Sequence, residues 1–393
     1  MTDPLRCKTA IVGIGETEFS GDSGRSEQRL AVEAVSAALD DAGLTPDDIE
    51  GIVTCDFEDT NQIELVNAMG LRNIHSFTEI GHAGGVPSGA VAHAAMMVAS
   101  GACKCVVGYR SMNERSGLRY GTRVEGEDNP MAAPRLKRWW GLHIPHGLIV
   151  PADWTAMMAR RRIIEFGETR EHWANIPVTF RKHANQNPHA MQYKKKLTVE
   201  DYLNAPLLSD PLCKFDYCLE TDGAVAFIVT SAERAKTLKS TPAYIHTAVQ
   251  AMGTPPVFYL ANYYRESMTT SHEIVETAKE LWKKSGLNAA HMDVAQIYDH
   301  FTPWVLLALE GLGFCKKGEA GAFCADGQLA IGGTLPTNTA GGQMSEGYIH
   351  GWSLINEGVK QIRGSSTAQV KDCEFSLVAS AAGCPTGAVI LSR

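Results

Sequence analysis

Apolar residues recur at helical spacing over Arg25–Asp41 (Leu30, Ala31, Ala34, Val35, Ala38, Leu39), and Gly43 follows where a helix C-cap belongs. Short β-rich runs flank this stretch, Thr9–Gly15 before it and Gly51–Cys55 after the Thr45-Pro46-Asp47-Asp48 turn. Strand, helix and strand in that order predict an α/β unit. The pattern returns late in the chain. Ser271–Lys284 predicts a helix, Ser285-Gly286-Leu287 ends it, Asn288–Asp293 turns, and Val294–Tyr298 predicts a strand. Ala42-Gly43-Leu44 precedes Asp56 by the same interval at which Ser285-Gly286-Leu287 precedes Asp299. A second echo links Ala83-Gly84-Gly85, a helical run and a strand to Gly108 with Ala340-Gly341-Gly342, a helical run and the strand Phe375–Ser380. Two matches in one order indicate an internal duplication of two α/β halves.

Residues 115–196 break this rhythm. They are charged and aromatic, lack strand alternation, and predict an inserted loop-and-helix region. The expected division is a first half at 1–114 and 197–235, the insertion at 115–196, and a second half at 236–393. Basic clusters mark the insertion: Arg135, Lys137 and Arg138, then Arg160–Arg162, then Lys194–Lys196. They are read first as a solvated face, with a landing site for a phosphate-bearing cofactor as the alternative. Trp139 and Trp140 are read as packing.

Bulk composition narrows the classes. A chain of 393 residues is long enough for two domains or two halves around a large core. The net charge of −8 gives no electrostatic case for nucleic acid or an anionic membrane. The start, Met-Thr-Asp-Pro-Leu-Arg, has neither the basic residues nor the apolar run of a secretory signal, and no stretch reads as a membrane span. Ten scattered cysteines without a Cys-x-x-Cys pair predict reduced thiols in the cytoplasm. Gly13-x-Gly15 lacks the rest of a dinucleotide fingerprint. His143-x-Pro-His146, with no nearby carboxylate, does not make a metal site.

The densest candidate stretch is Asn338–His350, where the Gly341-Gly342 turn leads into a helix start whose N–H groups face an anion or enolate. In order along the chain, Tyr298-Asp299-His300-Phe301, then Asn338-Thr339-Ala340-Gly341-Gly342 with Gly347-Tyr348, then Ala381-Ala382-Gly383 resemble the active-site segments of the thiolase superfamily, in its sterol-carrier or lipid-transfer branch. The family writes these segments Asn-Glu-Ala-Phe or His-Asp-x-Phe, Asn-x-x-Gly-Gly…Gly-His-Pro, and Cys-x-Gly. The resemblance covers nearly the whole chain. It implies a thiolase-like α/β fold of two duplicated halves, layered α-β-α-β-α, with an inserted loop domain, and it implies a homodimer.

The departures from the family decide the chemistry. The nucleophilic cysteine of a thiolase would fall near Gly84, after His82, and no cysteine lies between Cys55 and Cys103. Ala381 replaces the second cysteine, Cys384 is displaced by three residues, and Tyr348 replaces the histidine. Cys103 and Cys105 are read as core thiols. Thioester acyl transfer has lost its nucleophile, its proton shuttle and its imidazole. Tyr298 and Tyr348 stand at reaction-site positions instead, either as packing that fills the vacated site or as its catalytic groups.

A thiolase-like chain with that pattern resembles the steroid side-chain aldolases of bacterial sterol and bile-acid catabolism. That resemblance implies retro-aldol cleavage of a β-hydroxyacyl-CoA, with an OB-fold (DUF35-type) partner often attached to a hydratase subunit, in a heterotetramer. Phenols suit the reaction, because a phenol ionises near ~10, far below a tertiary alcohol. The catalytic candidates are Tyr298, Tyr348 and His300, the last as a neighbour of Tyr298 if the strand continues that far. Gly341, Gly342 and Gly383 are expected to hold the thioester oxygen through backbone N–H groups. Asp299 is assigned to structure, and His350 is expected to point away on a helix. No cofactor or metal is expected, since CoA belongs to the substrate. The competing expectations are a non-catalytic acyl-CoA or lipid-binding subunit, and a condensing acyltransferase that uses Cys384.

Overall fold

The computed structural model describes residues 3–81, 85–117, 119, 141, 143–256 and 265–393. Among the described residues the eleven strands are β1 (Thr9–Glu16), β2 (Gly51–Cys55), β3 (Ser76–Ile80), β4 (Cys105–Asn113), β5 (Leu207–Ser209), β6 (Leu212–Cys213), β7 (Asp222–Ser231), β8 (Ala243–Ala251), β9 (Val294–Ile297), β10 (Phe375–Ala379) and β11 (Thr386–Ser392). Nine of them run in the order β3-β2-β4-β7-β1-β8-β11-β10-β9, and β5 and β6 form a separate pair. By position the first five fall within the stretches expected for the first half, 1–114 and 197–235, and the last four within 236–393. They join edge to edge where β1 meets β8, at Ala10–Tyr244 and Ile11–Ala243.

The helices complete the layers. Glu27–Ala42 covers the outer side of β1, β7 and β4, and His272–Ser285 covers β8 and β11. The helices Pro87–Ala99 and Trp352–Arg363 lie between, each touching strands of both halves. Trp352–Arg363 is buried along nearly its whole length. This is the layered duplicated fold expected from the sequence. The two matched helices are also punctuated alike: Ser26 and Ser271 accept the N–H of Arg29 and Ile274, and Gly43 and Gly286 close them at φ 70° and 71°.

Strand alternation divides the core. Ala10 and Val12 of β1 pack under Glu27–Ala42, while Ile11 faces the central layer. Gly13 and Gly15 allow that helix to approach. A Cβ at either position would lie 2.2 Å from the Ala38 carbonyl oxygen or 2.0 Å from that of Ala34. Their role is helix-on-strand packing.

The insertion holds the helices Pro151–Phe166 and Arg170–Ala184. Val199–Leu203 packs on the second of these and the β5–β6 hairpin on the first, so the insertion's packing continues past residue 196. Its basic clusters divide in a way the sequence reading did not separate. Lys194–Lys196 are exposed, as a solvated face requires. Arg160 pairs with Asp210 and Arg161 with Glu165. Arg162 is completely buried between Glu168 and Glu310, which removes it both from a solvated face and from a phosphate landing site. Arg135, Lys137, Arg138, Trp139, Trp140, His82 and Gly84 lie outside the described residues. Among the described residues no helix is long and apolar enough to cross a membrane.

Candidate active site

The site forms where the end of β9 meets the Asn338–Gly351 segment. Tyr298 follows the last residue of β9, and its N–H still donates to the Ala379 carbonyl of β10 at 3.0 Å. Asn338, at φ 51°, holds the neighbouring segment in place. Its Oδ1 accepts the Ile297 N–H at 2.7 Å, and its Nδ2 donates to the Ile297 carbonyl at 2.8 Å. The Tyr348 N–H donates to Thr221 Oγ1 at 2.9 Å. These ties bring the two phenol oxygens to 3.1 Å, a hydrogen bond in which one hydroxyl donates to the other. Both tyrosines are buried, at 0% and 7% exposure.

Two histidines flank the pair. The strand stops at Ile297, yet the His300 ring sits 4.7 Å from that of Tyr298, so the expected neighbour is present without the expected strand extension. Burial pushes the His300 pKa down to about 3, so the ring is neutral. Neither of its nitrogens has a partner among the described residues. His350 departs from expectation. Residues 346–351 are not helical, and His350 takes φ 47°, which turns its ring back to 5.1 Å from that of Tyr348. Arg110 of β4 donates from Nε to His350 Nδ1 at 3.2 Å.

Gly351 fixes this turn for a steric reason. It sits at φ 79°, and a Cβ there would lie 2.5 Å from Tyr298 Cδ2. Gly351→Ala is expected to displace the Tyr298 ring, lowering stability by about 1–3 kcal/mol and activity with it. Thermal melts beside turnover measurements check this, and unchanged turnover would show that the ring tolerates the push.

The Gly341-Gly342 turn is shaped as expected, at φ 116° and 61°, but its donors are turned inward. The Asp299 carboxylate accepts the Gln343 N–H at 2.9 Å and the Met344 N–H at 3.2 Å. The reading that this helix start offers both groups to an enolate is therefore corrected: Asp299 takes them, in the structural role assigned to it. Gly383, at φ 76°, packs on Gly85, joining the Ala381–Cys384 loop to the segment where a thiolase carries its nucleophile.

Burial pushes the Asp299 carboxyl from an ordinary 3.8 up to about 7, against the pull of those two N–H groups. Between these values the folded chain keeps a proton that the unfolded chain has released. The stability linked to this group is whole below the lower value and is lost as pH rises through the upper one. Asp299→Asn is expected to lose less stability than the parent between about pH 5 and about pH 8. Melting curves at both pH values test this, and an equal loss would place the titration on another group.

The thiols are poorly suited to nucleophilic work. Burial raises Cys55, Cys315 and Cys373 to about 12 and Cys213 to about 11, and Cys103 and Cys105 are also raised, as core thiols should be. Cys384 is buried beside the Gly383 turn. Two features escaped the sequence reading. Arg110 is the one charged residue of a nearly wholly buried strand, and a charge inside a buried strand is a signal in itself. Gln343 has both amide atoms buried without a partner among the described residues, and nothing in its sequence context announced that.

Known proteins resemble this chain in sequence and fold. Residues 260–393 match the family model described as a thiolase C-terminal domain-like region. Over 98% of its length the chain is 44% identical to a 17-hydroxy-3-oxo-4-pregnene-20-carboxyl-CoA lyase of Mycobacterium tuberculosis, all of which is covered. It is 45% identical to a steroid side-chain-cleaving aldolase of Thermomonospora curvata, over 97% of each chain. A solved Ltp2-ChsH2(DUF35) aldolase superposes with a TM-score of 0.91 at 43% identity, covering 99% of this chain and 98% of that one. The chain belongs to the steroid side-chain-cleaving aldolases, a family within the thiolase superfamily.

Proposed function

We propose that this chain is a carbon–carbon lyase that cleaves a β-hydroxyacyl-CoA by a retro-aldol reaction, on the CoA thioester of a 17-hydroxy steroid side chain. The products are a 17-ketosteroid and propionyl-CoA or acetyl-CoA, according to the side chain. The observation that carries this reading is the 3.1 Å contact between the Tyr298 and Tyr348 hydroxyls in a thiolase-like site without thiolase cysteines.

The steps balance with these two groups. One phenolate takes the proton of the 17-hydroxyl, the oxygen's electron pair forms the ketone, and the carbon–carbon bond breaks. Its electrons pass into the thioester as an enolate. The other phenol protonates the α-carbon and becomes the phenolate. A proton hop across the short contact then restores the starting pair, and no covalent intermediate or further cofactor is needed. The backbone around Gly383 is assigned to the enolate oxygen, where loss of one donor typically costs ~3 kcal/mol. Gly341 and Gly342 act by shaping the turn that carries Tyr348. His300, a neutral ring, orients Tyr298.

The assembly assigned to the chain is a homodimer within a cytoplasmic heterotetramer with an OB-fold (DUF35-type) partner, the latter carried on a hydratase subunit. The Ltp2-ChsH2(DUF35) aldolase, similar over the whole chain, supports such a partner. The 1–114/197–235, 115–196 and 236–393 division remains our assignment of the halves and the insertion.

The test is direct. Chain and partner together, given a 17-hydroxy steroid CoA thioester, are expected to release ketone and acyl-CoA in equal amounts. Prior alkylation of accessible thiols should leave the rate unchanged. Loss of activity on alkylation would favour a condensing enzyme using Cys384, and binding without turnover would favour an acyl-CoA or lipid carrier.

A further inference from the structure

We propose that Arg110 is a positioning residue of this reaction: from β4 it fixes the tautomer and tilt of His350, and through that ring the placement of Tyr348. The inference rests on the functional reading above and extends it to a residue of the first half.

The geometry is specific. Arg110 is completely buried, and its Nε lies 3.2 Å from His350 Nδ1. A guanidinium has only donors, so Nδ1 must present its lone pair, and the one proton of a neutral ring then sits on Nε2. A doubly protonated ring would lose this acceptor and set two cations against each other. Burial and Arg110 both hold the His350 pKa well below its ordinary value. The ring so oriented stands edge-on between two others: Tyr348 at 5.1 Å and 79°, and Phe57 at 6.2 Å and 78°.

Arg110 is itself fixed from the far side. Its Nη1 lies 3.3 Å from Glu58 Oε2 and 3.5 Å from Asp59 Oδ2, and donates to the Ser111 carbonyl at 2.5 Å. Glu58 accepts the N–H of Ser111 at 2.8 Å and that of Thr60 at 3.0 Å. Among the described residues, the titratable groups recorded around the His350 ring are Arg110 with Glu58 and Asp59 behind it, Tyr348 on its own segment, and His300 after β9. A line of contacts runs from the Phe57–Thr60 loop through β4 to the phenol pair. An arginine needed only to neutralise Glu58 has no reason to point Nε at an imidazole nitrogen.

The test reads the tautomer and the rate separately. In the full chain labelled with nitrogen-15 histidine, signals lost in His350→Gln identify that ring. They are expected to show a neutral imidazole protonated on Nε2 from about pH 6 to about pH 8. Arg110→Met alone strands Glu58 in the interior, so Arg110→Met/Glu58→Gln is the variant used, with Arg110→Lys alongside in case the double variant does not fold. In the folded variant the His350 signals are expected to change. With the partner present, kcat should fall about 100-fold, the cost of misplacing a reacting group by about 1 Å, with KM within about twofold.

A parent ring protonated on Nδ1, unchanged His350 signals in the variant, or altered signals with unchanged kcat would each overturn the proposal. A parent that cleaves no steroid thioester, yet shows the Nε2 tautomer, would overturn the functional reading alone.

Discussion

Tyr298→Phe and Tyr348→Phe are each expected to lower kcat for retro-aldol cleavage by about 10²- to 10⁴-fold, the range that a positioned acid or base supplies. The change removes one oxygen from a buried ring and breaks the hydrogen bond between the two phenols, at a cost of about 1–3 kcal/mol, so the fold should survive. Because the two hydroxyls share one hydrogen bond and, in the proposed mechanism, relay one proton, their effects should not add. Tyr298→Phe/Tyr348→Phe is expected to be little worse than the poorer single variant. Steady-state kinetics on all three proteins measures this, with circular dichroism to verify folding. Full activity in both single variants would remove the phenols from the mechanism. Losses that multiply in the double variant would mean two separate roles without a relay.

Arg162→Met is expected to cost about 3–5 kcal/mol of stability, the largest effect we foresee away from the site. Arg162 donates from Nε to Glu168 at 2.8 Å and from Nη1 to Glu310 at 2.9 Å, and Trp173 Nε1 donates to the same Glu168 at 3.0 Å. All three charged side chains are buried, at 0%, 4% and 6% exposure. Without the guanidinium, two carboxylates face each other in the interior. Replacing all three charges by apolar residues of similar volume should recover most of the loss. Chemical denaturation of the single and triple variants provides the comparison. Equal instability in both would mean that the loss is one of packing rather than of stranded charge.

The two effects sit at opposite ends of what the sequence could convey. Tyr298 and Tyr348 were legible because they occupy ordered positions in segments whose glycines and asparagine have fixed spacings. Arg162 was not. Arg160, Arg161 and Arg162 are alike in sequence, and only the packing of Pro151–Phe166 against Thr302–Gly311 turns the third inward. The repeat was legible because its helices carry their own stop signals, Gly43 and Gly286. His350 was misread because helical periodicity was assumed past Gly347. The segment turns through a left-handed residue before Gly351, and local propensity gives no sign of it. The fate of the donors at the Gly341-Gly342 turn was hidden for a related reason: only the fold brings Asp299, 44 residues before Gln343 in the chain, to that turn.

The seam between β1 and β8 has a bearing on how a steroid enters. The two central helices each grip both halves, and the strands on either side of the seam are hydrogen-bonded across it. Opening such a molecule at its middle like a clam would mean breaking that strand pairing and pulling both helices off one half. Under the proposed function, the rigid rings of a steroid would then pass between segments that lie off this welded framework. Substitutions in such segments, more than any at the seam, are then expected to change which nuclei reach the phenols.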